Sequence, residues 1–417
     1  MDIARVSNDV VWRQLRVIFI GSGLLFLINI YFGFSNALTD GDIARSQILI
    51  HLHAGSVGWI TLSAIGLALW VVTNQRQVDA AYERQVRWLS WAAVLAFAGY
   101  IPNFWLAFGG ATAVSFLLPI FGSAAVIVLW WAAVFTISQL RRQEPMTTVQ
   151  LFAAGALLVA AIGATVGALL GLEHVIGRFL PLPDDRVGAH AAMMDTYLFL
   201  VAAAIIEVIA RPASAQGWSW AGVVQAVAWI VGAALVPIAF FLDAVDAILP
   251  IFGMLLLLGL AIFLVRTARR ALLLGPVADG VKPWAFFGTA WLVVYMGLFL
   301  WAVSTGGDFA GMPSWFFAAF AHAGFVGMMT NLVLAVHLER AYATRQLASW
   351  GAPAGLWLLN LGLLAFIGLK FASDIRTGAL LMGIGVLLSV GTVLWRLWAD
   401  DGRATSETPA AEAAAGG

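Results

Sequence analysis

The sequence predicts an all-α membrane protein, with twelve transmembrane helices set in three pseudo-threefold arcs of four. Three observations carry that reading. The first is composition: 62% of the 417 residues are hydrophobic and 11% charged, with a mean hydropathy of +0.92. A soluble domain holds apolar content near half, so this much apolar surface has to face lipid. The second is segmentation into apolar stretches of about 20 residues, the length a helix needs to cross a bilayer. The third is a histidine that recurs at thirds of the chain.

In chain order the expected spans are 17–37, 49–72, 88–108, 112–138, 150–172, 188–210, 219–242, 246–266, 284–304, 314–337, 351–371 and 377–398. Turn-forming residues separate them, among them Thr39-Asp40-Gly41-Asp42, Pro181-Leu182-Pro183-Asp184-Asp185, Gly275-Pro276 and Gly351-Ala352-Pro353. An even number of spans returns both termini to one side, and positive charge identifies which. Seventeen of the 22 Lys and Arg residues fall on the termini and the connections of that side. Only Arg45, Arg178, Arg186, Lys370 and Arg376 fall on the other, where the loops carry Asp40, Asp42, Asp184, Asp185, Asp243, Asp246 and Asp308. Both termini are therefore expected in the cytoplasm and the chain in the cytoplasmic (inner) membrane.

The first sixteen residues are mostly polar and show no cleavable signal pattern. One membrane domain is expected over 1–400, with repeats at about 10–142, 143–272 and 273–400, followed by a disordered tail at 401–417 rich in Ala, Gly, Glu and Thr. A net charge of zero gives no indication of a nucleic-acid partner. The absence of cysteine excludes disulfides, iron–sulfur clusters and thiolate-ligated haem. Any metal has to be held by His, Met, Asp, Glu or Tyr.

His53, His190 and His322 head the second, sixth and tenth spans at intervals of 190 − 53 = 137 and 322 − 190 = 132 residues. His53 and His322 each open the motif His-Ala-Gly-x-Val-Gly, and His190 retains His-Ala. The three spans run in the same direction, which puts all three imidazoles in the outer third of the membrane. A ligating side chain at one depth on three apolar helices points to a metal or haem site near a pseudo-threefold axis.

The sharpest expectation is a six-coordinate haem b between His53 and His322. Gly55, Gly58, Gly324 and Gly327 either let a macrocycle lie against the backbone or serve helix packing. His51 points about 200° from His53 on a helix, so it either serves a second site, shared with His190, or lies at the water interface. His190, Met194 and Tyr197 share a face, suited to copper or to a second haem pocket. Asp195 reads as a proton acceptor, a partner of a histidine ring, or a structural hydrogen bond. Met328 and Met329 read as packing, His174 as solvated, His337 as interfacial and Glu207 as reaching the interface. Arg178 and Arg186 suit haem propionates or loop salt bridges.

On this topology and these histidines, the chain resembles subunit I of the haem–copper oxidase superfamily, which includes nitric-oxide reductases, over roughly residues 10–400. The resemblance implies haem ligation by His53 and His322, and places His190 where that family has its first copper ligand. Three departures count against a complete binuclear centre: the seventh span has no histidine, the tenth has only His322 in range, and Met194 stands four residues after His190, where the family has a Tyr or a Glu. Divergent subunit-I-like or NnrS-like membrane proteins are the nearer comparison. The expected function is thus a membrane haem protein for electron transport, or for nitric-oxide or oxygen chemistry as an oxidoreductase. Its implied partners are a quinone or cytochrome electron donor and a diatomic gas ligand. The alternatives are a twelve-span secondary transporter without cofactor, which would repeat at halves rather than thirds, and a structural relative that has lost its haem.

Overall fold

The computed structural model describes residues 3–39, 44–73, 78–111, 115–141, 146–177, 186–210, 217–304, 314–343, 350–370 and 376–399. The tail at 401–417, the loop aspartates Asp40, Asp42, Asp184, Asp185 and Asp308, and Arg178 lie outside them. Among the described residues twelve helices are long and apolar enough to cross a membrane, so the protein is an all-α, multi-pass membrane protein.

The helices are α1 (Ile3–Leu38), α2 (Arg45–His53, Ala54–Thr61 and Leu62–Thr73 in unbroken succession), α3 (Ala80–Phe108), α4 (Leu117–Leu140), α5 (Thr148–Ile176) and α6 (Arg186–Ala210). They continue with α7 (Trp220–Phe241), α8 (Val245–Phe263, Leu264–Ala268 and Arg269–Leu272), α9 (Lys282–Ser304), α10 (Ser314–Ala321, His322–Thr330 and Asn331–Ala343), α11 (Gly351–Lys370) and α12 (Arg376–Ala399). The middle segments of α2, α8 and α10 are π-helical. Several starts are set by local chemistry: Asp79 accepts the Tyr82 N–H at 2.7 Å, and Thr147 forms a capping box with Gln150.

One neighbour pattern recurs in each group of four. The first helix packs on the second and third, and the third on the fourth: α1 on α2 and α3, with α3 on α4; α5 on α6 and α7, with α7 on α8. In the last group α9 packs on α10 and α11 on α12. There α9 meets α11 through the Trp291 Nε1–Asn360 Oδ1 hydrogen bond of 2.8 Å. The contacts α4–α5, α8–α9 and α12–α1 join the groups. The second member of each group lies inside: the apolar stretch of α2 is 83% buried and those of α6 and α10 are 72%, while no other span exceeds 50%. These inner helices are the three that bear the histidines.

A buried amide cluster closes the last group. Asn331 and Asn360 exchange hydrogen bonds of 3.0 Å in both directions, and Asn360 also accepts from Trp291. Asn360→Leu strips the partner from the buried Trp291 Nε1–H donor and from the Asn331 Oδ1 acceptor, at a cost of about 1–3 kcal/mol each. The melting temperature in detergent should drop in this variant, whereas Thr392→Ala, a half-buried site bonded only within its own helix, should leave it nearly unchanged.

Candidate metal and cofactor centre

Four imidazoles on the inner helices are prepared in the same way. His51 Nδ1 lies 2.9 Å from the Asn29 carbonyl, His53 Nδ1 2.8 Å from Leu49, His190 Nδ1 2.8 Å from Gly163 and His322 Nδ1 2.7 Å from Ala318. A carbonyl can only accept, so each Nδ1 carries the hydrogen and each neutral ring keeps its Nε2 lone pair. No described residue gives any of these Nε2 atoms a hydrogen-bond partner. Fixing one nitrogen to a backbone carbonyl while the other faces open space is how proteins orient a metal-ligating imidazole.

The rings fall into two sets of two, one in ring contact and one sharing a cavity, and neither joins His53 to His322 as the sequence suggested. His51 faces His322, with ring centroids 6.2 Å apart and planes 31° apart. A pocket of about 30 Å³ lies there, bounded by Asn29, Leu52, Gly55, Phe325 and Val326 among others. His53 and His190 instead line a cavity of about 460 Å³ between α2, α3, α4, α5 and α6. The His53 ring lies stacked on Phe104 at 3.9 Å. The offset of two residues that separates His51 from His53 turns them to opposite sides of α2, so α2 serves both pairs.

The pairs share a register. Within each, one ring bonds the carbonyl four residues back on its own helix (His53 to Leu49, His322 to Ala318). The other bonds a carbonyl on the preceding helix (His51 to Asn29 of α1, His190 to Gly163 of α5). His190 is therefore the counterpart of His51 and not, as the shared His-Ala suggested, of His53. By the same offset the third interface, between α6 and α10, would pair Ala192 with Phe320; Phe320 stacks on Tyr295 at 4.3 Å. Two of three equivalent positions carry histidines, and the third carries an aromatic ring.

The π-helical segments explain the motif around His53 and His322. They cover Ala54–Thr61 and His322–Thr330, and in each a threonine eight residues beyond the histidine bonds the carbonyl five back: Thr61 to Ser56 at 2.9 Å and Thr330 to Phe325 at 3.0 Å. π-Helical turns are rare and concentrate at functional sites. The threonine was readable in both copies of the repeat but carries no chemistry that a ligand search would notice. The motif glycines serve packing. A Cβ on Gly55 would lie 2.6 Å from Asn29 Nδ2 and one on Gly58 3.0 Å from Leu25 of α1; on α10, Gly324 and Gly327 would meet Tyr295 at 2.8 Å and Trp291 at 2.5 Å of α9. These glycines admit the neighbouring helix.

Other expected residues fall as follows. Met194 lines the large cavity, with its Sδ 3.1 Å from where a Gly163 Cβ would sit. Tyr197 is buried, and its hydroxyl bonds Thr61 Oγ1 at 2.6 Å, tying α6 to α2. Met328 and Met329 are fully buried packing residues. His337 is not interfacial: it is wholly buried between Phe19 and Trp59, at ring-centroid distances of 4.5 and 5.0 Å. Glu207 does not reach the interface either. It is buried in an ion pair with Arg266, and Thr267 Oγ1 donates to it at 2.9 Å. The side chains of His174 and Arg186 lie outside the described residues. Among the described residues no three His, Asp or Glu side chains gather as a metal cluster. No protein-family model matches the chain, and no curated protein matches it.

Proposed function

We propose that this is a haem-binding integral membrane protein of the electron-transfer type, with haem b iron held by His51 and His322. The observation that carries the reading is the 6.2 Å centroid separation of two rings whose Nδ1 atoms are both tied back. Two metal–imidazole bonds of about 2 Å each, plus the half-widths of the rings, add up to about 6 Å. The donor set fits: both ligands are neutral imidazoles with free Nε2 atoms in apolar surroundings. The pocket between them is ion-sized at about 30 Å³, so a macrocycle requires Leu52, Phe325 and Val326 at its rim to turn outward. Of these, Leu52 is 39% exposed.

Bound there, haem would supply one-electron redox chemistry. With His51 and His322 both holding the iron, the site would suit electron transfer rather than gas turnover. The protein's own part is to fix both tautomers, keep water from the rings and hold α2 against α10. The resemblance to haem–copper oxidase subunit I supports the reading, as does a contact pattern that repeats in thirds; a two-half transporter gives no reason for either. By the charge bias, both termini are cytoplasmic in an inner membrane and the histidine end faces outward, towards a quinone or cytochrome donor.

The test is the reduced-minus-oxidised spectrum of purified protein from haem-replete cells. His51→Ala and His322→Ala should each lose the low-spin, six-coordinate absorption of this centre, lowering that signature relative to the parent, while His337→Ala should keep it in full. A parent protein with no haem absorption sinks the reading, and loss of the signature in His337→Ala refutes the ligand assignment.

A further inference from the structure

We infer that the cavity bounded by α2, α3, α4, α5 and α6 is a second site of the same ligand class, binding a planar metal macrocycle between His53 and His190. The inference deepens the haem reading and rests on it for the identity of the macrocycle, but it concerns different residues and a different place in the bundle.

Three features of the site converge on one occupant. The first is register: His53 and His190 repeat, one interface along, the own-helix and preceding-helix hydrogen bonds of His322 and His51. The second is space. The cavity holds about 460 Å³, within the several-hundred-Å³ range of small-molecule and cofactor pockets, roughly 300–1,000 Å³, and far beyond one metal ion. The third is wall shape. Gly122 and Ala125 of α4 and Ala164, Gly167, Ala168 and Gly171 of α5 give it smooth sides. Gly167 also clears the ring of His190, since a Cβ there would lie 2.6 Å from Cε1.

The chemistry narrows the ligand further. Two imidazole lone pairs face a cavity that is apolar apart from Thr61, Tyr100 and Glu173, and each needs a partner to offset the water it gives up. A lipid chain would fill the space and leave both nitrogens unmet. A bare ion would meet the nitrogens and leave the space empty. A metal macrocycle does both, and the Phe104 ring stacked on His53 holds one ligand in place.

The experiment is haem stoichiometry of the full-length protein by pyridine haemochrome, in the parent and three variants. Gly122→Phe blocks the cavity without touching a histidine, and there is room for its first atoms because the nearest neighbour of a Cβ is Tyr100 at 3.8 Å. The parent should hold a pair of haems. His190→Ala and Gly122→Phe should each lower the haem-to-protein ratio twofold and retain the spectrum of the His51–His322 centre. His51→Ala should lower it twofold with loss of that spectrum. If His190→Ala and Gly122→Phe keep the parent ratio while His51→Ala abolishes haem, the cavity is not a haem site and the proposed function stands. A single haem lost in His190→Ala and kept in His51→Ala would support the cavity and overturn the first site. A parent without haem overturns both.

Discussion

Arg266→Leu should destabilise the folded protein by about 3–5 kcal/mol, because it removes the Arg266 guanidinium that ion-pairs with the buried Glu207 carboxylate. Glu207 has no exposed surface, and the Arg266 side chain is 9% exposed. The guanidinium also donates to Ser219 Oγ at 3.3 Å and to Thr267 Oγ1 at 3.2 Å, and Thr267 in turn donates to Glu207. The pair therefore joins α6 to α8 and, through Ser219, to the start of α7. Glu207→Leu should cost a similar amount, since it removes the other half of the ion pair. The double variant Glu207→Leu/Arg266→Leu should recover most of the loss, because neither charge is left in the apolar interior. Thermal unfolding in a fixed detergent checks this. Losses that simply add in the double variant would show that the two charges do not interact.

That ion pair also shows where sequence reading stops. Glu207 stands near the end of an apolar span, and an isolated glutamate there has a nearby interface to reach. What makes burial favourable is Arg266, 59 positions further on, which counts in a charge tally as one more cytoplasmic arginine. The π-helical segment Leu264–Ala268 that carries Arg266 has no sequence repeat to announce it. The spans themselves were legible because apolar length alone defines them, and eleven connections interrupt them. The inner place of α2, α6 and α10 was legible too, through the recurrence of histidine at thirds.

The pairing of the histidines was not legible, for a geometric reason. The repeat His-Ala-Gly-x-Val-Gly aligns His53 with His322, and aligned residues on pseudo-symmetric helices occupy equivalent positions; equivalent positions face different interfaces. Partners come from complementary positions, and the offset of two residues that turns a side chain by about 200° supplies the complement. His51 is thereby a partner of His322, and His190 of His53. The Nδ1 acceptors on α1 and α5, Asn29 and Gly163, are backbone carbonyls and carry no sequence signal.

Leucine at Gly362 or Gly385 should prevent α11 and α12 from closing and remove most of the folded protein from detergent extracts. A Cβ on Gly362 would lie 2.2 Å from the Met382 backbone nitrogen, and one on Gly385 2.1 Å from that of Leu359. Gly378 meets the Phe366 backbone nitrogen at 2.2 Å, and Gly355 meets Ser389 Oγ at 2.2 Å. The contacts alternate along the pair, with Gly355 and Gly362 seven apart on one helix and Gly378 and Gly385 seven apart on the other. Bare backbone on each helix thus lets the two axes approach, as small residues do at membrane-helix interfaces. A rotamer change relieves overpacking against a side chain, at about 1–3 kcal/mol, but a backbone atom has no rotamer to change. Because α12 also packs on α1 and α10, spreading the pair disturbs the closure of the ring and the support behind His322. Size-exclusion yield and melting temperature are the measurements, with Gly368→Leu as the control, since a Cβ there meets nothing within 4 Å. Equal yields for Gly385→Leu and Gly368→Leu would show that the α11–α12 contact does not hold the fold together.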